Sequence, residues 1–158
     1  MIRRAQAKES PGLAEARPVL GSNFLVDFGD GRSREASGGF AEVIFPEFRL
    51  GTGEPGPAMA PGQAPPGPAG PESTLILKRG VCGALDLYTW WDQTRKGKAP
   101  RKKSLKVLLL SEDQQRVVLT WTFHNVRPVA LAYSPLRAKE SVVAIETIEL
   151  TFEGFDLA

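Results

Sequence analysis

The clearest hydrophobic pattern in the chain lies between Lys103 and Val126. Apolar residues occupy every second position from Leu105 and become continuous by Leu110, and the polar stretch Ser111–Gln114 then supplies residues that favour turns. Beyond it, apolar side chains again occupy every second position: Val117, Leu119, Trp121 and Phe123. A period of two is typical of a strand with one buried face. The pattern predicts a β-hairpin and places a sheet at the centre of the fold.

Similar alternation predicts further strands on both sides of this hairpin. They are Phe24–Phe28, Phe40–Phe48, Ser73–Arg79, Arg127–Tyr133 and Val142–Phe155. Pro46 lies in the second of them, and a proline there indicates an edge or a bulge, because it has no N–H for a ladder. Six or seven strands in all predict a mainly β fold, a small barrel or sandwich.

One segment has helical periodicity instead. Its apolar positions are spaced by three or four residues: Ala84, Leu87, Tyr88 and Trp91. This spacing predicts a helix from about Cys82 to Arg95 with that face buried. Gly97 then ends the helix, and Arg95 and Lys96 suit its carbonyl end. The fold class is therefore a small β-barrel or sandwich with one flanking α-helix.

Two segments lack either periodicity. Residues 1–17 are polar and Ala-rich, which predicts a flexible N-terminal tail. Gly51–Glu72 contains seven prolines and six glycines, so it is predicted to be a long flexible loop. The two strands expected before it are too few to fold alone. At a length of 158 residues, the remainder therefore predicts one domain over 18–158 that contains the loop.

Charge is nearly balanced overall, at a net +2, but it is distributed unevenly. From Arg95 to Lys106 every charged residue is basic: Arg95, Lys96, Lys98, Arg101, Lys102, Lys103 and Lys106. From Glu140 onward every charged residue is acidic: Glu140, Glu146, Glu149, Glu153 and Asp156. Such separation suits a surface that contacts its complement on another molecule, including another copy of the chain. It is equally consistent with a solvated basic loop.

The residues of catalytic and metal sites are sparse. One cysteine, Cys82, excludes an internal disulfide, and one histidine, His124, lies on the predicted polar face of a strand. Glu146 and Glu149 fall on opposite strand faces, which makes them a poor metal or acid–base pair. The sequence predicts no catalytic residue, cofactor or metal, and hence no enzyme.

Targeting and membrane signals are equally absent from the sequence as given. No apolar run reaches the roughly 18 residues that span a bilayer, and no apolar segment follows the charged N-terminus as in a secretory signal. We expect synthesis and residence in a reducing compartment, with export only at a later stage.

Several short motifs follow one another in a particular order: LGSNFLVDF (20–28), GFAEV (39–43), LKRG (77–80), YTWWDQ (88–93), VLLLSED (107–113), VLTWTFHNVRPV (118–129) and AIETIELTFEGF (144–155). In this order they resemble the tail tube proteins of contractile phage tails and related injection systems, and the resemblance covers roughly residues 18–157. The chain departs from that family at Gly51–Glu72, where the family usually has shorter, charged sequence. It also departs at Leu131–Tyr133 and Ser141–Val142, where the family often has a Lys-Trp pair and an Asn-Glu step.

The resemblance implies a structural subunit of which six copies form a ring. Rings then stack head to tail into a hollow tube that a contracting sheath propels. The implied partners are further copies or a paralogous tube protein, sheath and baseplate proteins, and a lumenal cargo, with no membrane anchor and no specific nucleic acid. We expect cytoplasmic synthesis followed by assembly into a phage-tail-like particle that is released or acts outside the cell.

The charge pattern supplies candidate contacts between copies. The basic candidates are Arg95, Lys96, Lys98, Arg101, Lys102 and Lys103, and the acidic ones are Glu146, Glu149 and Glu153. Two alternatives stay open. One is a tube-capping or baseplate paralogue of the same fold. The other is a β-barrel nucleic-acid-binding module that uses residues 95–106, although Trp90 and Trp91 lie on the preceding helix rather than on a strand face.

Overall fold

The computed structural model describes residues 18–29, 39–50, 74–98 and 103–158. These residues form seven strands and one helix: β1 (Phe24–Asp27), β2 (Glu42–Ile44), β3 (Thr74–Gly80), α1 (Asp86–Arg95), β4 (Lys103–Leu110), β5 (Val117–Tyr133), β6 (Ile145–Thr151) and β7 (Gly154–Leu157). The predicted mainly β fold with one helix is confirmed. The predicted tail (1–17) and the predicted loop (51–72) lie outside the described residues.

The long strand β5 connects the two halves of the sheet. Its first half pairs with β4 and β7, and its second half pairs with β6, all antiparallel. The ladder is irregular between Pro128 and Ala130, and Asn125 has a φ of 52°, a left-handed conformation that Asn tolerates better than most residues. Bulges bend a strand and increase its twist. β5 can therefore leave the half of the sheet that contains β4 and β7 and continue in the half that contains β6.

The complete strand order is β1-β4-β5-β6-β3-β2, with β7 beside β5. Within the described residues the sheet does not close into a barrel: β1 and β2 lie at the two ends of the strand order, and β7 pairs with β5 alone. The described residues therefore form an open sheet.

The core occupies one face of this sheet. Alternate residues are fully buried on the paired strands β3 and β6: Leu75, Leu77, Ile148 and Leu150. On the other half, Leu105 and Phe123 are equally buried and are close in the β4–β5 register. Phe152 packs edge-on against Phe123 with ring centroids 4.8 Å apart. The predicted alternation of buried and outward positions is confirmed on these strands.

The buried face of the helix differs from the predicted one. Leu87 and Trp90 are buried, whereas Tyr88 is exposed and Trp91 is half-buried. The helix also begins at Asp86 rather than near Cys82. Helical spacing from Leu87 is compatible with a buried face that contains either Trp90 or Trp91. The face with Trp90 is the buried one, because Trp90 packs against Phe28 with ring centroids 5.7 Å apart.

Three strand boundaries also differ from the predictions. Arg127–Tyr133 is the second half of β5 rather than a separate strand, and Phe40–Phe48 contributes only Glu42–Ile44. The predicted final strand, Val142–Phe155, divides into β6 and β7, and Val142 lies before β6. β6 begins only at Ile145 because its partner strand β3 ends at Gly80, which pairs with Ile145. The residues before Ile145 therefore have no strand beside them in the described structure.

Candidate assembly surfaces

The two sheet edges are the first candidate surface. β1 pairs with β4 on one side, β2 pairs with β3 on one side, and neither has a second partner strand among the described residues. An edge strand presents N–H and C=O groups that can pair with another chain. The open sheet is therefore able to extend in both directions.

The basic segment after the helix divides into residues with different roles. Arg95 and Lys96 both form ion pairs with Asp92, the lysine Nζ at 2.7 Å from the carboxylate. Hydrogen bonds from Lys96 and then Arg95 hold the pKa of Asp92 below its usual value. Lys98 is exposed and has no ion pair within the described ranges. Arg101 and Lys102 lie outside those ranges, and Lys103 begins β4.

The aromatic residues beside this segment do not form a free stacking surface. The guanidinium of Arg95 lies over the ring of Trp91, 5.1 Å from its centroid, and Tyr88 contacts Trp91 at 6.4 Å between centroids. Trp90 points into the core. Single-stranded nucleic acid binds best where bases can stack on open aromatic faces, so this geometry does not favour the nucleic-acid alternative.

The three acidic candidates lie in three different environments. Glu146 is buried, and its carboxylate accepts a hydrogen bond from Arg79. Glu149 is half-buried on the opposite face of β6. This was predicted, because it lies three residues from Glu146 and side chains alternate between the two faces of a strand. Glu153 is exposed between β6 and β7, where it accepts a hydrogen bond from the side-chain amide of Asn125. Only Glu149 and Glu153 are accessible to a partner molecule.

Arg79 is the important buried residue that the sequence reasoning missed. Its side chain is 0% exposed and forms ion pairs with Glu146 on β6 and Asp86 at the start of α1. Its second terminal nitrogen donates to Asp86 at 3.1 Å, and its guanidinium lies 5.5 Å from the centroid of Phe40. Burial opposes the charge of Arg79, but the hydrogen bonds it donates to Asp86 and Glu146 outweigh burial and raise its pKa above the usual value.

This network fixes the helix to the sheet. Arg79 and Glu146 face each other in the β3–β6 register, and Asp86 is the first residue of α1. Burial and the nearby charge of Glu146 also raise the pKa of Tyr133, which is the cross-strand partner of Glu146 on β5. The alternation of Arg79 with Leu75 and Leu77 was the signal in the sequence, because it places a cation on the buried face of β3.

An exposed apolar cluster lies where β5 ends. Leu136, Val142 and Val143 are 87%, 76% and 68% exposed, and the segment that carries them connects β5 to β6. This segment forms a groove of about 440 Å³, which we call the loop-end groove. Its lining residues are Ser134, Pro135, Leu136, Arg137, Ala138, Glu140, Val142 and Ala144. Exposed apolar residues gathered at one place indicate an interaction surface.

In the part of the chain that the structure describes, no three His, Cys, Asp or Glu side chains come together as a metal site. No described helix has the length and apolarity needed to cross a bilayer.

An open, mainly β subunit with free strand edges and exposed apolar residues has the features of a protein that assembles with other copies. The family model for the T4-like virus tail tube protein gp19 matches residues 21–156. The chain belongs to this family, and its function is that of a structural tube subunit. The resemblance seen in the motifs is thereby confirmed.

Solved structures show the same fold. The cap of the anti-feeding prophage has a TM-score of 0.62 and 21% identity, over 97% of this chain and 99% of that one. A chain of the sheath–tube complex of the extracellular contractile injection system PVC has a TM-score of 0.60 and 19% identity, over 91% and 93%. Hcp1 from Flavobacterium johnsoniae has a TM-score of 0.52 and 10% identity, over 86% and 94%. A search of curated proteins gave no match.

Proposed function

We propose that six copies of this chain form a ring and that the rings stack head to tail into the inner tube of a contractile injection system or phage tail. The observation that carries the proposal is the open sheet of a tail tube family member, with β1 at one edge and β2 at the other. Joining β1 of one copy to β2 of the next is a heterologous contact, which closes when the rotation between copies divides a full circle. Ring closure would also cover both edges.

The proposed partners are a contractile sheath and a baseplate. This part of the proposal is supported by the similarity to chains from structures described as a sheath–tube complex and as an anti-feeding prophage baseplate. We also propose that the protein is synthesised in the cytoplasm and then assembled into a phage-tail-like particle. A tube of this kind also leaves room for a cargo in its lumen.

Charge complementarity between copies supports the lateral contact. The basic candidates are Arg95, Lys96, Lys98, Arg101, Lys102 and Lys103, and they are proposed to meet Glu149 and Glu153 of a neighbouring copy. Glu146 is left out of this contact because its carboxylate is buried against Arg79. Complementary charges contribute mainly to the rate and register of association.

Negative-stain electron microscopy of the purified full chain, across a range of concentrations, tests the proposal. We expect ring-shaped class averages with six-fold symmetry, and stacks of them at higher concentration. Single rings that never stack would favour the cap or baseplate alternative. A monomer at every concentration that binds single-stranded DNA with a steep salt dependence would overturn the tube proposal in favour of the nucleic-acid module.

A further inference from the structure

The loop-end groove is preformed by hydrogen bonds at its base. Ser134 donates its backbone N–H to the carbonyl of Ile145 at 2.9 Å, and Ile145 donates its own to the Ser134 hydroxyl at 2.8 Å. The N–H of Val81 donates to the carbonyl of Ala144 at 2.8 Å, which ties the chain after β3 to the same place. A groove with a fixed base can accept a partner at little ordering cost.

The opposite end of β5 carries a projecting turn. Residues 111–116 connect β4 to β5, and we call them the β4–β5 turn. The N–H of Gln114 donates to the carbonyl of Ser111 at 2.8 Å, and the N–H of Ser111 donates to the carbonyl of Arg116 at 2.9 Å. Asp113 accepts from the hydroxyl of Ser111 and from the N–H of Gln115. The turn is thus held by its own hydrogen bonds and by contacts with Asn23, its residues 112–116 are exposed, and the exposed Val117 and Val118 follow it.

The groove and the turn lie at the two ends of the same strand. β5 runs from Val117, next to the turn, to Tyr133, next to the groove. At about 3.3 Å per residue, β5 is roughly 50 Å long along its path, and the irregularities at Asn125 and Pro128 make the direct distance between its ends shorter. The edge strands β1 and β2 lie at the sides of the sheet, whereas the ends of β5 point along the strands. If neighbouring copies in a ring join through β1 and β2, the strands run at a tilt to the ring axis, and the two ends of β5 face the rings above and below.

Charge is complementary between these two ends. The segment that forms the groove carries two basic residues and one acidic residue: Arg137, Lys139 and Glu140. The turn carries the reverse, Glu112, Asp113 and Arg116. Arg137 and Glu140 pair only loosely, at 3.4 Å, and both are exposed, while Lys139 and Glu112 have no ion pair within the described ranges. The net charges are opposite, so the turn of one copy is attracted to the groove of another.

We propose that the β4–β5 turn of one copy inserts into the loop-end groove of the next copy and forms the axial contact between stacked rings. The inference rests on the proposed ring, since it assigns the surfaces by which such rings stack. Leu136 and Val142 in the groove cover Val117 beside the turn, and the opposite charges set the register. A groove of about 440 Å³ has the size of a small-ligand site, which suits a turn tip rather than a whole domain.

Cross-linking between copies tests the contact directly. Gln114→Cys and Ala138→Cys are combined in a full-length Cys82→Ser background and treated with a short bismaleimide. We expect a ladder of linked oligomers from the double variant and no ladder from either single variant. The contact needs only two copies, so absence of a ladder at high protein concentration overturns it, whether or not complete tubes form.

Leu136→Asp tests the apolar part of the contact. Leu136 is largely exposed in the isolated subunit, so a charge there leaves the fold intact, whereas in the contact it would be buried and unpaired. We expect rings to remain and stacks to become at least tenfold rarer. Val129→Asp is the control, because Val129 is also an exposed apolar residue, lies on β5 before the strand ends at Tyr133, and does not line the groove. Equal thermal midpoints confirm that both variants are folded.

The outcomes separate this inference from the proposed function. Rings that stack normally in Leu136→Asp and give no ladder in the cysteine variant contradict the inference and leave the tube intact. Loss of the rings themselves in Leu136→Asp places the groove in the lateral contact and also overturns the axial assignment. A ladder without any ring in the unchanged chain supports the end-to-end contact and counts against the hexamer.

Discussion

Among the side chains that the structure describes, Arg79 joins several structural elements. It lies on β3, faces Glu146 on β6, contacts Asp86 at the start of α1 and lies beside Phe40. Desolvating these charges is costly, and the ion pairs offset that cost only while every partner is present. The network therefore fixes the orientation of the helix more than it adds to stability.

Arg79→Met is predicted to lower the free energy of unfolding by about 3 to 5 kcal/mol, because it leaves the buried carboxylate of Glu146 without its cation. The double variant Arg79→Met with Glu146→Leu is predicted to recover most of this loss, since no unpaired buried charge remains. Denaturant unfolding of the two variants and of the unchanged chain measures the difference. A double variant as unstable as the single one would show that the ion pair itself stabilises the fold.

Among the secondary-structure elements, α1 packs on the core through two buried residues, Leu87 and Trp90. Trp90 packs against Phe28 and belongs to the main core, whereas Trp91 lies at the surface beneath Arg95. The two tryptophans are adjacent in sequence and point to different sides of the helix. Substituting each of them in turn therefore compares the stability contributed by the buried and by the outer side of the helix.

Trp90→Ala is predicted to lower the free energy of unfolding by about 3 to 5 kcal/mol, because it opens a cavity between α1 and the sheet. Trp91→Ala is predicted to cost about 1 kcal/mol, mainly through loss of the contact with Arg95. Chemical denaturation of both variants checks the ranking. Equal losses would mean that the buried face of the helix is not the one described.

At the level of the whole molecule, the two proposed contacts differ in how much each depends on charge and on apolar surface. The basic segment and the accessible acidic residues Glu149 and Glu153 are assigned to the lateral contact, and the apolar ends of β5 to the axial one. Exposed charges are screened by salt, whereas burial of apolar surface weakens on cooling. Salt is therefore expected to affect ring closure, and cooling is expected to affect stacking.

Reversing the charge at Lys102 and Lys103, as Lys102→Glu with Lys103→Glu, is predicted to raise the concentration at which rings form by about tenfold or more, because like charges would then meet across the lateral contact. Glu149→Lys with Glu153→Lys in the same chain is the compensating control and is expected to restore ring formation. Light scattering and electron microscopy report the assembly. Rings that form as readily in the reversed chain would be evidence against the charge assignment.

The sequence by itself determined the fold class and the architecture of the core. Period-two alternation placed Leu105 and Phe123 on the apolar faces of their predicted strands, because a strand turns each successive side chain to the opposite face. The order of the motifs identified the family. These features are local, or repeat along the chain, so they can be seen without knowing which strands pair.

The tertiary structure alone decided which elements are continuous and which charges are free. β5 continues past Asn125 and Pro128 because β6 provides a partner there, and the stretch that contains Val142 does not join β6 because β3 has already ended. Glu146 became an internal residue because the register places it opposite Arg79. Pairing between distant segments determines each of these outcomes, and periodicity along one segment carries no information about its neighbour.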